Sequence, residues 1–102
     1  MNNSLQMMIQ YKIKACAKRE YELVVHSMMK ELQKFGVENI KFQKDTLFND
    51  EYWEFFKIPT VSHFHALKKI RMSKKHPIFG RLHELLDDEQ GAIQCYAIRT
   101  MY

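Results

Sequence analysis

Two hydrophobic periodicities, and the order in which they follow each other, constrain the fold of this chain more than any other feature of its sequence. Residues 7–15 read MMIQYKIKA and alternate apolar with polar side chains, which predicts a strand with one buried face. Residues 18–35 carry apolar side chains at steps of three and four, which predicts an amphipathic helix. Gly36 follows the last apolar residue, where a glycine commonly ends a helix. The chain therefore begins with a strand and then a helix.

Two further strands follow, separated by a turn. Residues 39–44 alternate like the first strand, and residues 45–51, DTLFNDE, are rich in the Asp and Asn of turns. Residues 52–58, YWEFFKI, are bulky and aromatic on both faces, as is usual for a strand that is central or covered twice. Pro59 ends this third strand.

A second helical region is broken in two. Thr60 or Ser62 can cap its start, but the apolar pattern falters at residues 72–75. Pro77 then suits the first turn of a new helical segment, because its missing N–H is not needed there. The apolar stripes are Val61, Phe64, Leu67 and Ile70 before the break, and Ile78, Phe79, Leu82, Leu85 and Leu86 after it.

A loop at residues 87–91 and a last strand at residues 92–102 complete the order β-α-β-β-α-β. This is the ferredoxin-like, split βαβ arrangement, an α+β fold with a four-stranded antiparallel sheet and both helices on one face. The chain of 102 residues is long enough for one domain, residues 1–102, and not two. The last strand would run beside the first, which could bring Cys16 near Cys95. We expect both to be free thiols in a cytoplasmic protein.

The side of the sheet that the helices leave uncovered mixes aromatic rings, amides and lysines. In one arrangement, two chains press these faces together into a barrel with a cavity lined by aromatic and cationic groups. In the other, the face stays open and binds a flat or anionic ligand. Alternation alone leaves the register of the last strand open. The residues expected on this side are Met8, Gln10, Lys12, Lys14, Lys41, Gln43, Trp53, Phe55 and Lys57, with either Gln94, Tyr96 and Ile98 or Cys95, Ala97 and Arg99.

Charge and composition narrow the classes of function. The formal net charge of +4 weakly favours anionic partners, and no acidic residue lies between Glu54 and Glu84. The basic run KKIRMSKKHPIF, residues 68–79, is either a solvated helix face or a site for an anionic partner. The N-terminus has no signal-peptide pattern, and no apolar run is long enough to span a bilayer, so no membrane partner is predicted.

An open sheet face with aromatics and lysines would also suit single-stranded RNA. However, residues 52–58 lack the Lys/Arg-Gly-aromatic pattern of RNA-recognition domains, and Tyr11 belongs to the helix-facing set. Nucleic acid is therefore the weakest of the partner classes considered.

The stretch YWEFFKIPTVSHFHALKKIRMSKKHPIFGRLHELL resembles the dimeric α+β barrel superfamily, which includes antibiotic-biosynthesis-monooxygenase-like and stress-responsive barrel proteins. The resemblance is one of organisation and spans residues 7–102. It implies a homodimer with a pocket between the sheet and the helices. Some members of the superfamily are cofactor-independent monooxygenases. The residues that stand where such a pattern would place them are Trp53, Phe64, Leu67, His76 and Phe79.

Other members of the superfamily degrade heme, with a His after the helix break as iron ligand and an Asn and a Trp nearby. His76 matches that His by position. Trp53 lies earlier in its strand than the family Trp, and Gln10 is the nearest substitute for the Asn. We therefore predict no cofactor. We predict no metal site either, because His63 and His65 would diverge by about 200° on a helix.

Each candidate site residue also has a structural alternative. His76 is the candidate catalytic residue, because an imidazole can serve as a base near neutral pH, but it could instead cap or flank the helix break. Trp53 could stack on a flat ligand or lie in the core or a dimer interface. Glu54, in the middle of a strand, could be a base, although an ion pair with a lysine is simpler. The candidate ligand-binding residues are Trp53, Gln10, Lys12, Phe55 and Arg99.

We therefore predict a cytoplasmic homodimer that binds a small aromatic or polycyclic molecule next to Trp53 and His76. If the protein is an enzyme, we expect it to be a monooxygenase that acts on that molecule. The alternative is a non-catalytic interaction or regulatory module, with an anionic partner at residues 68–81. A single-stranded nucleic-acid-binding domain that uses the sheet face is the third reading.

Overall fold

The computed structural model describes residues 5–48, 50–87 and 93–99. Four strands form one antiparallel sheet in the order β2-β3-β1-β4, and the helices pack on one of its faces. The predicted ferredoxin-like α+β fold is confirmed. The elements are β1 Leu5–Lys12, a 3₁₀ turn Ala15–Ala17, α1 Lys18–Gln33, β2 Glu38–Lys44, β3 Glu51–Ile58, α2 Val61–Arg71, α3 Phe79–His83 and β4 Gln94–Arg99.

The two central strands, β1 and β3, alternate between a buried face and a half-buried face. Their helix-facing residues form the core together with the stripe of α1, whose buried members are Tyr21, Val24, Met28 and Leu32. On the other face, Gln10 lies opposite Trp53 and Met8 lies opposite Phe55. The predicted sidedness of the first three strands is therefore correct.

The register of β4 is fixed by its pairing with β1. Cys95 is the partner of Ile9 and therefore lies on the helix-facing side, whereas Tyr96 is the partner of Met8 on the uncovered side. Alternation from Tyr96 places Gln94 and Ile98 on the uncovered side as well. Of the two registers that the sequence left open, the one with Gln94, Tyr96 and Ile98 on the uncovered side is the one that forms.

The first strand is shorter than predicted at its C-terminal end. Regular pairing stops at Lys12, and Ile13 instead donates its N–H to the carbonyl of Asp50 and forms an isolated bridge with Leu86. The chain then turns through the 3₁₀ segment into α1. Ala15, predicted to face the core, is therefore exposed.

The second helical region is broken as predicted. Thr60 is the N-cap of α2, and its Oγ1 accepts the N–H of His63 at 3.3 Å. The segment after the break is only five residues long, so Leu85 and Leu86 are buried beyond the end of α3 and not on it. A Cβ on residue 80 would lie 2.5 Å from the Lys74 carbonyl oxygen. The segment before α3 can therefore pack this closely against the helix only because residue 80 is a glycine.

Two predicted segments lie partly outside the described residues. The predicted last strand covered residues 92–102; the structure describes residues 93–99 of these, and the strand is Gln94–Arg99. Of the predicted loop at residues 87–91, only Asp87 is described.

Gly36, at the end of α1, has φ +71°, as expected for a helix-terminating glycine.

Candidate functional site

A fully buried ion pair lies between the sheet and the helices. Glu54 projects from the middle of β3, and Arg71 is the last residue of α2; neither has any exposed surface. The two terminal guanidinium nitrogens of Arg71 each donate to one carboxylate oxygen of Glu54 at 2.6 Å, which is the bidentate arrangement. The ion pair expected for Glu54 is therefore present, with an arginine in place of the lysine.

Two tyrosines extend this ion pair toward α1. The Tyr11 hydroxyl donates to Glu54 Oε2 at 2.6 Å, and the hydroxyls of Tyr11 and Tyr21 are 2.8 Å apart. Burial raises the pKa of both tyrosines, so both rings stay neutral at physiological pH. Burial alone would lower the pKa of Arg71, but the adjacent Glu54 carboxylate raises it, so the guanidinium stays charged. We call these four residues the buried polar chain.

The guanidinium of Arg71 fills the space under the broken helix. It lies 4.7 Å from the centre of the Phe79 ring, and one nitrogen is 3.7 Å from Met28 Sδ. The backbone carbonyl of Arg71 is 2.7 Å from His83 Nε2. Among the described residues, Arg71 Nε is the one buried side-chain nitrogen or oxygen without a hydrogen-bond partner. The region between α2, α3 and the centre of the sheet is therefore packed with side chains.

An open cleft lies at the other end of the helical layer, between the start of α1 and the β2 side of the sheet. Its volume is about 300 Å³. The ring centres of Tyr21 and Tyr52 are 4.5 Å apart in its wall, so the cleft touches the end of the buried polar chain. We call it the aromatic cleft, and its lining residues are Lys18, Tyr21, Glu22, Phe42, Gln43, Lys44 and Tyr52.

Four of the predicted ligand-binding residues lie together on the uncovered sheet face. Gln10 and Lys12 of β1 share that face with Trp53 and Phe55 of β3, and the two aromatic rings stack with centres 5.9 Å apart. Arg99 does not join them, because the pairing of β4 places it on the helix-facing side. The four grouped residues form a surface and not a pocket of the single chain.

His76, the predicted catalytic residue, lies on the helical side of the sheet. Its Nδ1 accepts the N–H groups of Ile78 and Phe79, both at 3.1 Å, and its ring centre is 4.8 Å from that of Phe79. Its Nε2 is 3.9 Å from Glu31 Oε2. The sheet separates His76 from Trp53, so no pocket formed by the described residues joins them. His76 therefore makes the contacts of a cap at the helix break, and its catalytic role stays a prediction.

The basic residues of the run 68–79 lie in two different environments. Lys68, Lys69, Lys74 and Lys75 are exposed, whereas Arg71 alone turns into the core.

Within the described residues, no three His, Cys, Asp or Glu side chains are placed to hold a metal ion. No helix in the part of the chain that the structure describes is long and apolar enough to cross a bilayer.

The sequence contained a signal for Arg71 that periodicity reasoning passed over. Phe64, Leu67 and Arg71 are separated by three and then four positions, so Arg71 continues the buried stripe of α2. Glu54 occupies one of the helix-facing positions of β3, which are otherwise apolar. A buried acid on one element and a buried base on another predict an ion pair between them, because an unpaired buried charge is very costly.

No protein-family model and no curated protein matches this sequence. Several solved structures match the fold. A candidate antibiotic biosynthesis monooxygenase from Bordetella bronchiseptica aligns with a TM-score of 0.77 and 13% identity over 99% of this chain and 100% of that one. A conserved protein from Methanosarcina mazei Go1 aligns with a TM-score of 0.75 and 15% identity over 97% and 94%. A further antibiotic biosynthesis monooxygenase aligns with a TM-score of 0.72 and 9% identity over 96% and 99%.

These similarities define the class of fold. The chain has the α+β architecture of the antibiotic-biosynthesis-monooxygenase-like barrel proteins, over nearly its whole length and over nearly the whole length of each neighbour. The resemblance found in the sequence is therefore confirmed at the level of the fold.

Proposed function

We propose that the protein binds a small aromatic molecule in the aromatic cleft and works as a homodimer. The observation that carries the ligand-binding half is the cleft itself, which is about 300 Å³ in volume and has Tyr21, Phe42 and Tyr52 in its walls. This volume lies at the lower end of the range for small-molecule sites, which are concave and mostly apolar with a few polar groups.

The aromatic cleft is a better candidate than the space beside His76. That space is occupied by the Arg71 guanidinium, the Phe79 ring and the Glu54 carboxylate. Opening it would require breaking a bidentate buried ion pair, which costs several kcal/mol. The aromatic cleft is already open and needs no such rearrangement.

Ligand binding is tested by titrating the isotope-labelled protein with 2-naphthylmethanol, a neutral bicyclic probe, and following amide chemical shifts. We expect shifts at residues of the cleft. The Phe42→Ala variant should bind about fivefold more weakly, because one aromatic contact contributes about 1 kcal/mol. Leu23→Ala, an exposed position outside the cleft, is the matched control. Equal affinity of the Phe42→Ala variant and the wild type would refute the cleft as the site.

The homodimer half of the proposal rests on the uncovered sheet face. Met8, Trp53 and Phe55 are only half-buried there, and Tyr96 and Ile98 are 42% and 47% exposed. Four strands about 4.8 Å apart, with about 3.3 Å per residue along the 8 residues of β1, give a face of roughly 500 Å² before side-chain relief is counted. That is of the same order as the roughly 800 Å² per partner of a standard interface.

A second copy of the chain is the occupant that this face fits best. Apolar rings occupy its centre, and Lys12, Lys57 and Glu51 lie toward its ends, so two faces can pack ring against ring with charges at the rim. In a single chain the centre of this face would be an apolar patch in contact with water, and a patch of this size often marks an interaction site.

Sizing at micromolar concentration tests the dimer, with a mass near twice 12.3 kDa as the expected result. Ile98→Glu places a charge on the β4 side of the proposed interface, and since Ile98 is exposed in one protomer, the variant should fold and elute as a monomer. Leu23→Glu, a 63% exposed position on α1, is the matched control and should remain dimeric. A monomeric wild-type protein would exclude the homodimer.

Oxygenation of the bound molecule is the finer form of the proposal, supported by the neighbours described as monooxygenases. Molecular oxygen would be the oxidant and the aromatic ligand the electron donor. A ring CH₂ group would become C=O, one oxygen atom would enter the product, and the other would leave as water with the two hydrogens. Oxygen consumption by the protein with an activated aromatic CH₂ compound checks this form. If the protein with such a compound bound consumes oxygen no faster than buffer with the compound alone, the ligand-binding proposal stands and the oxygenation proposal fails.

We also propose a cytoplasmic location. Both Cys16 and Cys95 are free, as expected for thiols in a reducing compartment. The two residues should stay reduced in protein extracted under alkylating conditions from its native cells; oxidised cysteines in that extract would contradict the location.

A further inference from the structure

We propose that the ligand of the aromatic cleft is an aromatic monocarboxylate, and that Lys44 binds its carboxylate. This inference rests on the proposed ligand-binding function and names the chemical class of the ligand. It depends on where the charges of the cleft lie relative to its rings.

Lys44 stands beside the aromatic wall because of the strand register. It lies two positions after Phe42 on β2, so both side chains project to the same face of the sheet, and it is the cross-strand partner of Tyr52 on β3. Phe42, Tyr52 and Lys44 therefore form one continuous surface, apolar at its base and cationic at its rim. A flat ring against this wall would place a substituent on its edge within reach of the ammonium group.

The other charges of the cleft leave Lys44 as the cation that can bind an anion. Lys18 is 3.2 Å from the carboxylate of Asp50 and so is already partly neutralised. Glu22 adds a negative charge on the α1 side. Among the described residues, Lys44 has no ion pair of its own. Lys44 can therefore pair with one negative charge, whereas Glu22 repels further negative charge. The cleft thus fits a ligand with a single negative charge and disfavours a dianion.

Two further features favour an anion over a neutral ligand. The cleft opens at the N-terminal end of α1, a helix of 16 residues, where the helix dipole is positive. The formal net charge of +4 also attracts anions to the protein from a distance. Both effects are weak, and they add to the contact with Lys44 without replacing it.

The size of the expected effect follows from the exposure of Lys44. Because its side chain is exposed, an ion pair with a ligand carboxylate contributes about 1 kcal/mol or less. This corresponds to a roughly fivefold preference for a carboxylate over a neutral ligand of the same shape. The preference should also shrink as salt is added, because solvent-exposed charges are screened.

The experiment compares 2-naphthoate with 2-naphthylmethanol, which share one ring system and differ in charge. Both are titrated into the wild type, Lys44→Gln and Lys41→Gln, with affinity measured by calorimetry and location by amide chemical shifts. Lys41 is on the same strand as Lys44 but faces the uncovered side of the sheet opposite Phe55, so it is a matched control. The single Trp, Trp53, is on the uncovered side too, and its indole N–H signal reports binding there.

We expect 2-naphthoate to bind the wild type and Lys41→Gln about fivefold more tightly than 2-naphthylmethanol does, and this preference to disappear in Lys44→Gln. Shifts should appear in the cleft and not at the Trp53 indole. If both probes shift cleft residues with equal affinity, the carboxylate inference is overturned and aromatic binding in the cleft stands. If neither probe shifts the cleft, or only the Trp53 indole responds, both the inference and the cleft proposal fail.

Discussion

Arg71 and Glu54 are joined by two parallel hydrogen bonds of 2.6 Å with neither side chain reaching solvent. The pair links the end of α2 to the centre of β3 and so fixes where the broken helix lies on the sheet. Because both charges are buried, each residue is tolerated only in the presence of the other. This mutual dependence leads to a stability prediction.

Replacing one partner should be far more harmful than replacing both. Arg71→Met or Glu54→Leu alone leaves an unpaired buried charge and should lower the free energy of unfolding by about 3–5 kcal/mol. The double variant removes both charges and should recover most of that loss. Urea denaturation at one fixed protein concentration measures all four proteins of the cycle, since a dimer would make stability depend on concentration. Additive losses in the double variant would show that the two side chains do not depend on each other.

The buried tyrosines predict a loss of stability at alkaline pH. Burial raises the pKa of Tyr11 and Tyr21 in the folded protein above the ordinary value of 10.0. Their stabilising contribution is thus complete below pH 10 and is lost as the pH rises from 10 toward the folded-state pKa values, because only the unfolded chain releases these protons. The slope should reach about 1.4 kcal/mol per pH unit for each tyrosine.

Unfolding free energies measured between pH 9 and pH 11 check this slope. Tyr11→Phe should reduce this slope by about one tyrosine's share. A slope that Tyr11→Phe does not alter would mean that this hydroxyl ionises as readily in the folded protein as in the unfolded chain.

Gly80 should be intolerant of substitution for a steric reason. A Cβ at this position would lie 2.5 Å from the backbone oxygen of Lys74, so the loop before α3 or the helix itself must move. Gly80→Ala should therefore cost about 1–3 kcal/mol of unfolding free energy, as overpacking commonly does. Gly36→Asn is a useful comparison, because nothing lies within 4 Å of a Cβ there and asparagine tolerates the positive φ. Thermal unfolding of both variants should show a larger loss for Gly80→Ala than for Gly36→Asn.

The sequence was sufficient for the order of elements because hydrophobic spacing is a local property. The alternation of β1 and the stripe of α1 each identify one element and its buried face without knowledge of the rest of the chain. The register of β4 was not predictable in this way, since both of its faces contain apolar residues and the pairing of Cys95 with Ile9 decides between them.

The candidate site was harder to predict because it depends on which elements meet. Glu54 and Arg71 are seventeen positions apart, and Arg71 lies in a run of exposed lysines that suggests a solvated surface. Tyr11 and Tyr21 were counted as apolar stripe residues, and only the fold shows that their hydroxyls meet. Trp53 and His76 were assigned to one pocket from the family resemblance, and the sheet between them separates the two.

The contacts of His76 lead to a prediction that separates a structural role from a catalytic one. Its Nδ1 accepts two backbone N–H groups at the start of α3, so His76→Ala should lose about 0.5–2 kcal/mol of stability, as the loss of a helix cap does. In His76→Asn the side-chain oxygen occupies nearly the same position as Nδ1 and should restore most of the loss. Urea denaturation measures this, and oxygen consumption with a bound aromatic CH₂ compound is recorded alongside. If His76→Asn is as stable as the wild type and also retains any activity, His76 is a cap; if it is stable but inactive, the predicted catalytic role gains direct support.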